Sequence, residues 1–433
     1  MSKNENANVN VHDGVYDAKT LGYGRMLLLG VQHTFAMFGA TVLVPLLTGL
    51  SVSTTLLMAG LGTLLFHLIT GGKVPAFLGS SFAFLGGYAA VAPLDENGIA
   101  DPTQLAYAGG GVVVAGLVYL VVAGLIKLFG AKRVMRFFPP VVTGPIIIAI
   151  GLILAPSALN NCETNWIIAI VAVLIIIICN IWGKGMIKII PIMLGVLGAY
   201  VVALLMGEVD FTAVGEAAWI GIPIKTSSFA KFDLNAILTI VPISLATMME
   251  HIGDISAIGA TTGRNYISNP GLHRTLLGDG LATSMSAFFG GPANTTYGEN
   301  TGVLALSKVY DPVVMRIAAV IAIMLSFCPK FAALISSMPA AVVGGASLVL
   351  YGMISAIGMR NVVENKVDFT KGRNLIVAAI ILVCALGVEY KAVPGVNFSI
   401  GSVDISLSGI AVAAIAGILL NAILPGKDYE FEE

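Results

Sequence analysis

Apolar runs of membrane-spanning length follow one another along almost the whole chain, and this succession dictates what it can fold into. They fall near 26–47, 54–70, 76–91, 104–129, 140–158, 166–182, 188–206, 234–258, 272–289, 297–309, 312–329, 333–357, 374–388 and 405–424. A run of this kind buries its own backbone hydrogen bonds in lipid as a helix. Only 11% of the residues are charged, whereas soluble domains carry about 25%. The expectation is an all-α polytopic membrane protein of fourteen segments. The third and tenth segments are short and interrupted by Gly, Ser, Thr or Asn. No apolar leader precedes the first run within residues 1–25. The four cysteines lack metal-ligand spacing, so neither metal nor cofactor is expected.

The loop charges supply an orientation. With the N-terminus inside, nineteen of the 23 Lys and Arg residues, from Lys3 to Lys427, fall on the cytoplasmic side. Lys225, Lys231, Lys330 and Lys391 fall on the other. This asymmetry follows the positive-inside rule and places both termini in the cytoplasm.

Short internal matches then pair the two halves. "FPPVVTGP" at 138–145 resembles "MPAAVVGG" at 338–345, Gln32-His33 resembles Glu250-His251, and "GSSF" at 79–82 aligns with "YGEN" at 297–300. The first half carries an extra loop, "DENGIADP", at 95–102. These matches pair segments 1 with 8, 3 with 10 and 5 with 12, giving seven spans per repeat. An odd repeat enters the membrane from the opposite side, the inverted-repeat plan of secondary transporters. In that plan the paired interrupted segments mark the binding site.

Ionisable groups inside a span are costly and mark function. Glu250 and Asp254 lie four residues apart on one helix face, and Glu299 lies in the broken tenth segment. Asp254 is read either as a solvated group near the mouth or as a partner of Glu250. His33 and His251 read as hydrogen-bonders between helices, and Asp279 as a solvated or helix-orienting group. Carboxylates accept hydrogen bonds, while broken segments offer free N–H donors. The matching ligand presents N–H and C=O groups together. A pyrimidinedione such as uracil alternates them around a flat ring, and so do xanthine and other oxopurines. Phe82, after Gly79-Ser80-Ser81, offers an apolar face.

The motifs "QHTFAMFGATVLVP" (32–45), "GSSFAF" (79–84), "MEHIGD" (249–254), "NPGLHR" (269–274) and "NTTYGENTGVLALSK" (294–308) together resemble the nucleobase–ascorbate transporter family over nearly the whole chain. The resemblance implies two inverted repeats with short antiparallel strands in segments 3 and 10, crossing near the midplane. It implies a core domain (26–129 and 207–329) and a gate domain (130–206 and 330–424), between a cytoplasmic segment 1–25 and a tail 425–433. Glu250 and Glu299 would hold the nucleobase, with backbone groups at Phe82 and Gly298 and with Ser81 and Tyr297 nearby. Glu250, Asp254 and His33 would serve proton coupling. Glu299, where purine-handling relatives typically carry Gln, favours the uracil branch. Asp254 stands where similar carriers can have a histidine, so the proton route departs from theirs. The expected partners are uracil, protons and the lipid bilayer, without nucleic acid, with a homodimer as a possible assembly. The expected activity is secondary active import of uracil at the bacterial plasma membrane, by proton symport with alternating access and no chemical change to the substrate. The alternatives are an oxopurine permease and an anion exchanger or channel of the same fold.

Overall fold

The computed structural model describes residues 14–95, 99–391, 395–400, 403–426 and 429. Lys3 with the start of the N-terminal segment, positions 96–98 of the 95–102 loop, and Lys427 with most of the tail lie outside the described residues.

The chain is mostly helical. Helices α1 (Tyr23–Thr48) and α2 (Val52–Ile69) precede strand β1 (Leu78–Ser80), the short α3 (Leu85–Val91) and the long α4 (Pro102–Phe129). Then come α5 (Ala131–Met135), α6 (Pro140–Glu163), α7 (Trp166–Trp182), α8 (Met186–Ile189) and α9 (Pro191–Leu205). After α10 (Thr212–Glu216), α11 (Leu234–Ile240) runs through Val241-Pro242 into α12 (Ile243–Thr262). Helix α13 (Leu272–Phe288), strand β2 (Asn294–Thr296), α14 (Gly298–Ser307) and α15 (Val313–Ser326) follow. The last part holds α16 (Pro329–Ser336), α17 (Ala340–Glu364), α18 (Gly372–Glu389), strands β3 (Val396–Ile400) and β4 (Val403–Leu407), and α19 (Gly409–Ile423).

Helix starts sit where the sequence supplies caps. Asp101 accepts from the amides of Thr103 and Gln104, with Pro102 in the first turn of α4. Asn165 caps α7 and Ser408 caps α19 in the same manner. Among the described residues, seven helical stretches are long and apolar enough to cross a membrane: α1, α2, α4, α6, the joined α11–α12, α17 and α18. An eighth results if α15 and α16, bent by 88°, are taken as one. Helices α7, α9 and α19 are apolar but shorter. Length and composition therefore credit seven or eight spans, where the hydropathy pattern predicts fourteen.

Two boundaries differ from expectation. The segment expected over 333–357 is split: Pro329–Ser336 forms its own short helix, and the long helix starts at Ala340 after Pro339. Proline biases its predecessor away from helix, and its ring lacks the N–H a continuing helix needs. The segment expected from 405 starts its helix at Gly409, because 403–407 pairs with 396–400 as an antiparallel hairpin. The all-α reading thus omits one hairpin, whose run alternates Val396, Phe398, Ile400 and Val403, Ile405, Leu407 with polar residues. The third and tenth segments are strand–helix units, with the short antiparallel strands that the family resemblance implies.

The helices pack most heavily in two groups. One joins α4 to α13, α2 to α13 and α15, and α1 to α15. The other joins α6 to α17 and α18, α7 to α9 and α17, and α18 to α19. Small residues allow these close approaches, as is usual where lipid gives no hydrophobic drive between helices. At the α4–α13 crossing Gly116 faces Gly280, and Ser284 Oγ donates to the Val113 carbonyl at 2.9 Å. At the α6–α17 crossing Gly144 faces Gly358, and Ser355 Oγ donates to the Ile148 carbonyl at 3.0 Å.

Candidate functional site

Two three-residue strands are the scaffold of the site. Leu78, Gly79 and Ser80 pair antiparallel with Thr296, Thr295 and Asn294, and all six residues are buried. Ser81 N–H donates to the Ala293 carbonyl at 2.8 Å, and Tyr297 N–H to the Phe77 carbonyl at 2.9 Å, which extends the ladder at both ends. A two-stranded ribbon still has outer edges, and a buried edge must find partners. Threonines of the flanking helices supply them. Thr63 Oγ1 on α2 accepts from Leu78 N–H at 2.9 Å and shares its proton between the Leu78 carbonyl at 3.1 Å and the Ala59 carbonyl of its own helix at 2.8 Å. Thr283 Oγ1 on α13 accepts from Asn294 N–H at 3.3 Å and donates to its carbonyl at 3.0 Å. The third residue of each strand ties to another helix. Ser80 Oγ reaches the Thr41 carbonyl of α1 at 3.2 Å, and Thr296 Oγ1 meets His251 Nδ1 of α12 at 2.8 Å.

Each strand leads toward a helix whose N-terminus has no side-chain cap: Phe84 precedes α3 and Tyr297 precedes α14. First-turn amides of such a helix have no partner within it and favour electron-rich groups. Gly298 opens α14 and is exposed. A methyl group placed there would meet only Asp254 Oδ1, at 3.7 Å, so the Asp254 carboxylate stands beside the start of α14.

Glu250, Asp254, Glu299 and Phe82 are each half-buried. Glu250 and Asp254 share one face of α12, while His251, Ile255 and Ile258 are buried on another. The Glu250 carboxyl has no protein hydrogen-bond partner among the described residues. Glu250, Asp254 and Glu299 lie close enough to act on one another electrostatically, and Asp279 acts on the first two. Phe82 packs at the junction of the two largest apolar clusters. Ser81 Oγ is buried without a partner among the described residues. Glu299 also faces a cavity of about 130 Å³ that includes Ala36 and Gly39 of α1, Lys188 of α8, Met193 of α9 and Met353 of α17. That cavity lies between the two helix groups.

Other expected residues take supporting positions. Tyr297 is buried; its hydroxyl donates to the Ser80 carbonyl at 3.0 Å and lies 3.2 Å from Thr41 Oγ1. Its polar end is thereby occupied in fixing β1 to β2. His33 is fully buried and bound to Asn300, whose Nδ2 donates to the His33 carbonyl at 3.0 Å and lies 3.1 Å from Nδ1. The structure thus joins His33 to the residue after Glu299. Asp279 is not solvated: it is fully buried, with Oδ2 3.1 Å from His251 Nδ1. As the residue after Glu250, His251 is turned by about 100° around α12, off the Glu250–Asp254 face and toward β2. Thr63 and Thr283 escaped the sequence reading, since a threonine in an apolar helix carries no distinctive spacing.

Comparison with known proteins follows this geometry. Residues 24–393 match the family model described as the Permease family. The chain belongs to that family. It is 42% identical over 421 residues to a protein of Pasteurella multocida named "Probable uracil permease", covering 95% of this chain and 96% of that one. It is 43% identical over 417 residues to the "Uracil permease" of Bacillus caldolyticus, covering 93% of each. Among solved structures, the transmembrane domain of the cyanobacterial bicarbonate transporter BicA matches with a TM-score of 0.63 at 16% identity, over 94% of this chain and 99% of that one. SLC26A9 matches with a TM-score of 0.68 at 11% identity, over 94% of this chain and 66% of that one. These two show a shared fold. The family resemblance drawn from the motifs holds, and this permease is a multi-pass membrane protein.

Proposed function

We propose that this permease imports uracil by proton symport. The observation that carries the proposal is the convergence of Glu250 and Glu299, acceptors on two different helices, beside the uncapped start of α14. Glu250 and Glu299 accept the ring N–H groups of the nucleobase. Backbone amides at Gly298 and Phe82 donate to its carbonyls, Phe82 covers one ring face, and the unpartnered Ser81 hydroxyl adds a polar contact. Tyr297 holds the strands in register. Glu250 and Asp254, with His33 behind Glu299, carry the proton. The names of the relatives agree with a uracil substrate.

The two helix groups support a core domain and a gate domain with the boundaries given above. The paired Thr63–β1 and Thr283–β2 arrangements support two inverted repeats of seven segments each, fourteen crossings in all, with the short helices and strand–helix units counted as crossings. Alternating access follows as movement of gate against core around the fixed strand pair. In this arrangement both termini lie in the cytoplasm and the membrane is the bacterial plasma membrane. Xanthine remains the second reading, because it repeats the same N–H and C=O alternation. An anion is disfavoured: three carboxyls within electrostatic range of one another would repel it.

Uptake of radiolabelled uracil into proteoliposomes, competed with xanthine, cytosine and sulfate, tests the proposal. Uracil and small 5-substituted uracils should compete. Cytosine, which lacks the N3 proton and the O4 carbonyl, should not. Equal competition by cytosine or sulfate would refute the assignment.

A further inference from the structure

Residues 14–21 run across the molecule ahead of α1 and fasten to the ends of two other helices. Val15 N–H donates to the Lys308 carbonyl at 2.8 Å, and Tyr310 N–H donates to the Val15 carbonyl at 2.7 Å. Ala18 N–H donates to Asp311 Oδ2 at 2.8 Å. These contacts fix the segment to the chain immediately after α14. Tyr16, between them, reaches the other way. Its hydroxyl donates at 2.5 Å to the carbonyl of Thr262, the last residue of α12. Its ring meets Tyr310 edge-on, with centroids 5.4 Å apart, and the Arg264 guanidinium lies over it at 4.1 Å. Ala18, Val309 and Val314 form a small buried cluster beneath.

The two helices joined in this way carry the candidate ligands: Glu250 and Asp254 on α12, Gly298 and Glu299 on α14. A helix transmits a shift at one end to side chains along it, at about 1.5 Å of rise per residue. We infer that Val15–Ala18 form a clasp that sets the separation of Glu250 and Glu299, with Tyr16 as its positioning residue. Tyr16 touches no substrate. It fixes the width of the ring that the two carboxylates can bridge, and so the preference for a one-ring over a two-ring nucleobase. The inference rests on Glu250 and Glu299 being nucleobase ligands.

The test uses the full chain purified in detergent, as wild type, Tyr16→Phe and Tyr16→Ala. Three quantities are measured: uracil affinity, competition by xanthine, and the thermal midpoint without ligand. Tyr16→Ala should weaken uracil binding about tenfold and narrow the preference over xanthine, because a loosened pair admits the larger ring. Tyr16→Phe, which loses the hydroxyl donor but keeps the ring contacts, should move both quantities in the same direction by less, at an unchanged midpoint. Wild-type affinity and selectivity in both variants would overturn the clasp. So would a parallel loss of uracil and xanthine binding that tracks the midpoint. If Tyr16→Ala does not fold, Tyr16→Phe decides alone. A wild-type chain that binds no nucleobase would refute the functional reading instead. The clasp is then judged by the distance between spin labels at Ser256→Cys and Leu306→Cys, in a background lacking the native cysteines. Tyr16→Ala should broaden that distribution, and an unchanged one would refute the clasp.

Discussion

At the scale of single residues, the site depends on what each polar atom can accept or donate. Glu299→Gln replaces one acceptor oxygen by a donor that faces a ring N–H. Uracil affinity should fall by about 2–4 kcal/mol with the fold intact. Calorimetry on purified protein checks this, and unchanged affinity would remove Glu299 from the site. Gly298→Ala asks a narrower question. The added methyl has ordinary van der Waals room beside Asp254, so the protein should fold, but the methyl enters space next to the first-turn amides. Uracil binding should weaken by about 1 kcal/mol, one carbon's worth of steric intrusion. Asp279 and His251 make a different kind of pair, fully buried behind β2. Asp279→Ala removes a buried side chain that packs against His251, whose Nδ1 keeps Thr296 Oγ1, and should cost about 1–3 kcal/mol in stability, read as a lowered thermal midpoint. The candidate carboxylates Glu250, Asp254 and Glu299 stood out in the sequence because an acid in an apolar run is expensive. Of the two readings of Asp279, burial removes the solvated one and leaves the helix-orienting one, and its neighbour His251 on α12 could not be read from the letters.

At the scale of elements, the strand pair depends on hydroxyls from helices. Thr63→Val and Thr283→Val each keep shape while leaving one buried backbone N–H and one C=O without their side-chain partner. Each should lower stability by about 1–3 kcal/mol, measured by unfolding in detergent, and should weaken uracil binding through the loosened ribbon. A valine variant as stable as wild type would mean that water takes the hydroxyl's place. The broken character of both segments was visible in the sequence, from "GSS" and "NTTYG" within apolar surroundings. Their pairing was not visible in the letters themselves: it came only through family resemblance, because three-residue strands are too short for a period to emerge. The β3–β4 hairpin was missed for the converse reason. Its alternation exists, but it abuts the apolar run of α19 and was absorbed into it. The start of α17 had a plain signal in Pro339, which run length outweighed.

At the scale of the whole molecule, the question is whether two helix groups move against each other. Ile189 of α8 packs at the place where a side chain on Gly302 of α14 would project, 3.6 Å from it. Ile189→Cys with Gly302→Cys, in a background lacking native cysteines, should cross-link under oxidation and arrest uptake, with recovery on reduction. Normal uptake by the cross-linked protein would mean that α8 and α14 stay together throughout transport. The driving force belongs at this scale too. An inward proton gradient should accelerate uracil uptake into proteoliposomes, and uptake should acidify their interior. Glu250→Gln should eliminate gradient-driven accumulation, and Asp254→Asn should weaken it less. Uptake that ignores pH but follows a sodium gradient would refute proton coupling.

The buried ribbon has an evolutionary corollary. Hydrogen-bond groups borne by the main chain are common to every residue, proline's missing N–H aside, so point mutation rarely exchanges them for others. If backbone amides at Phe82 and Gly298 recognise the carbonyls shared by uracil and the oxopurines, that part of recognition passes largely unchanged to descendants. Diversification is then confined to a few exchangeable side chains, Glu299 and Phe82 foremost. Lineages descended from such a carrier should trade one oxo-nucleobase for another by single substitutions, while a ligand without that carbonyl pattern would require remaking the backbone that joins each strand to its helix.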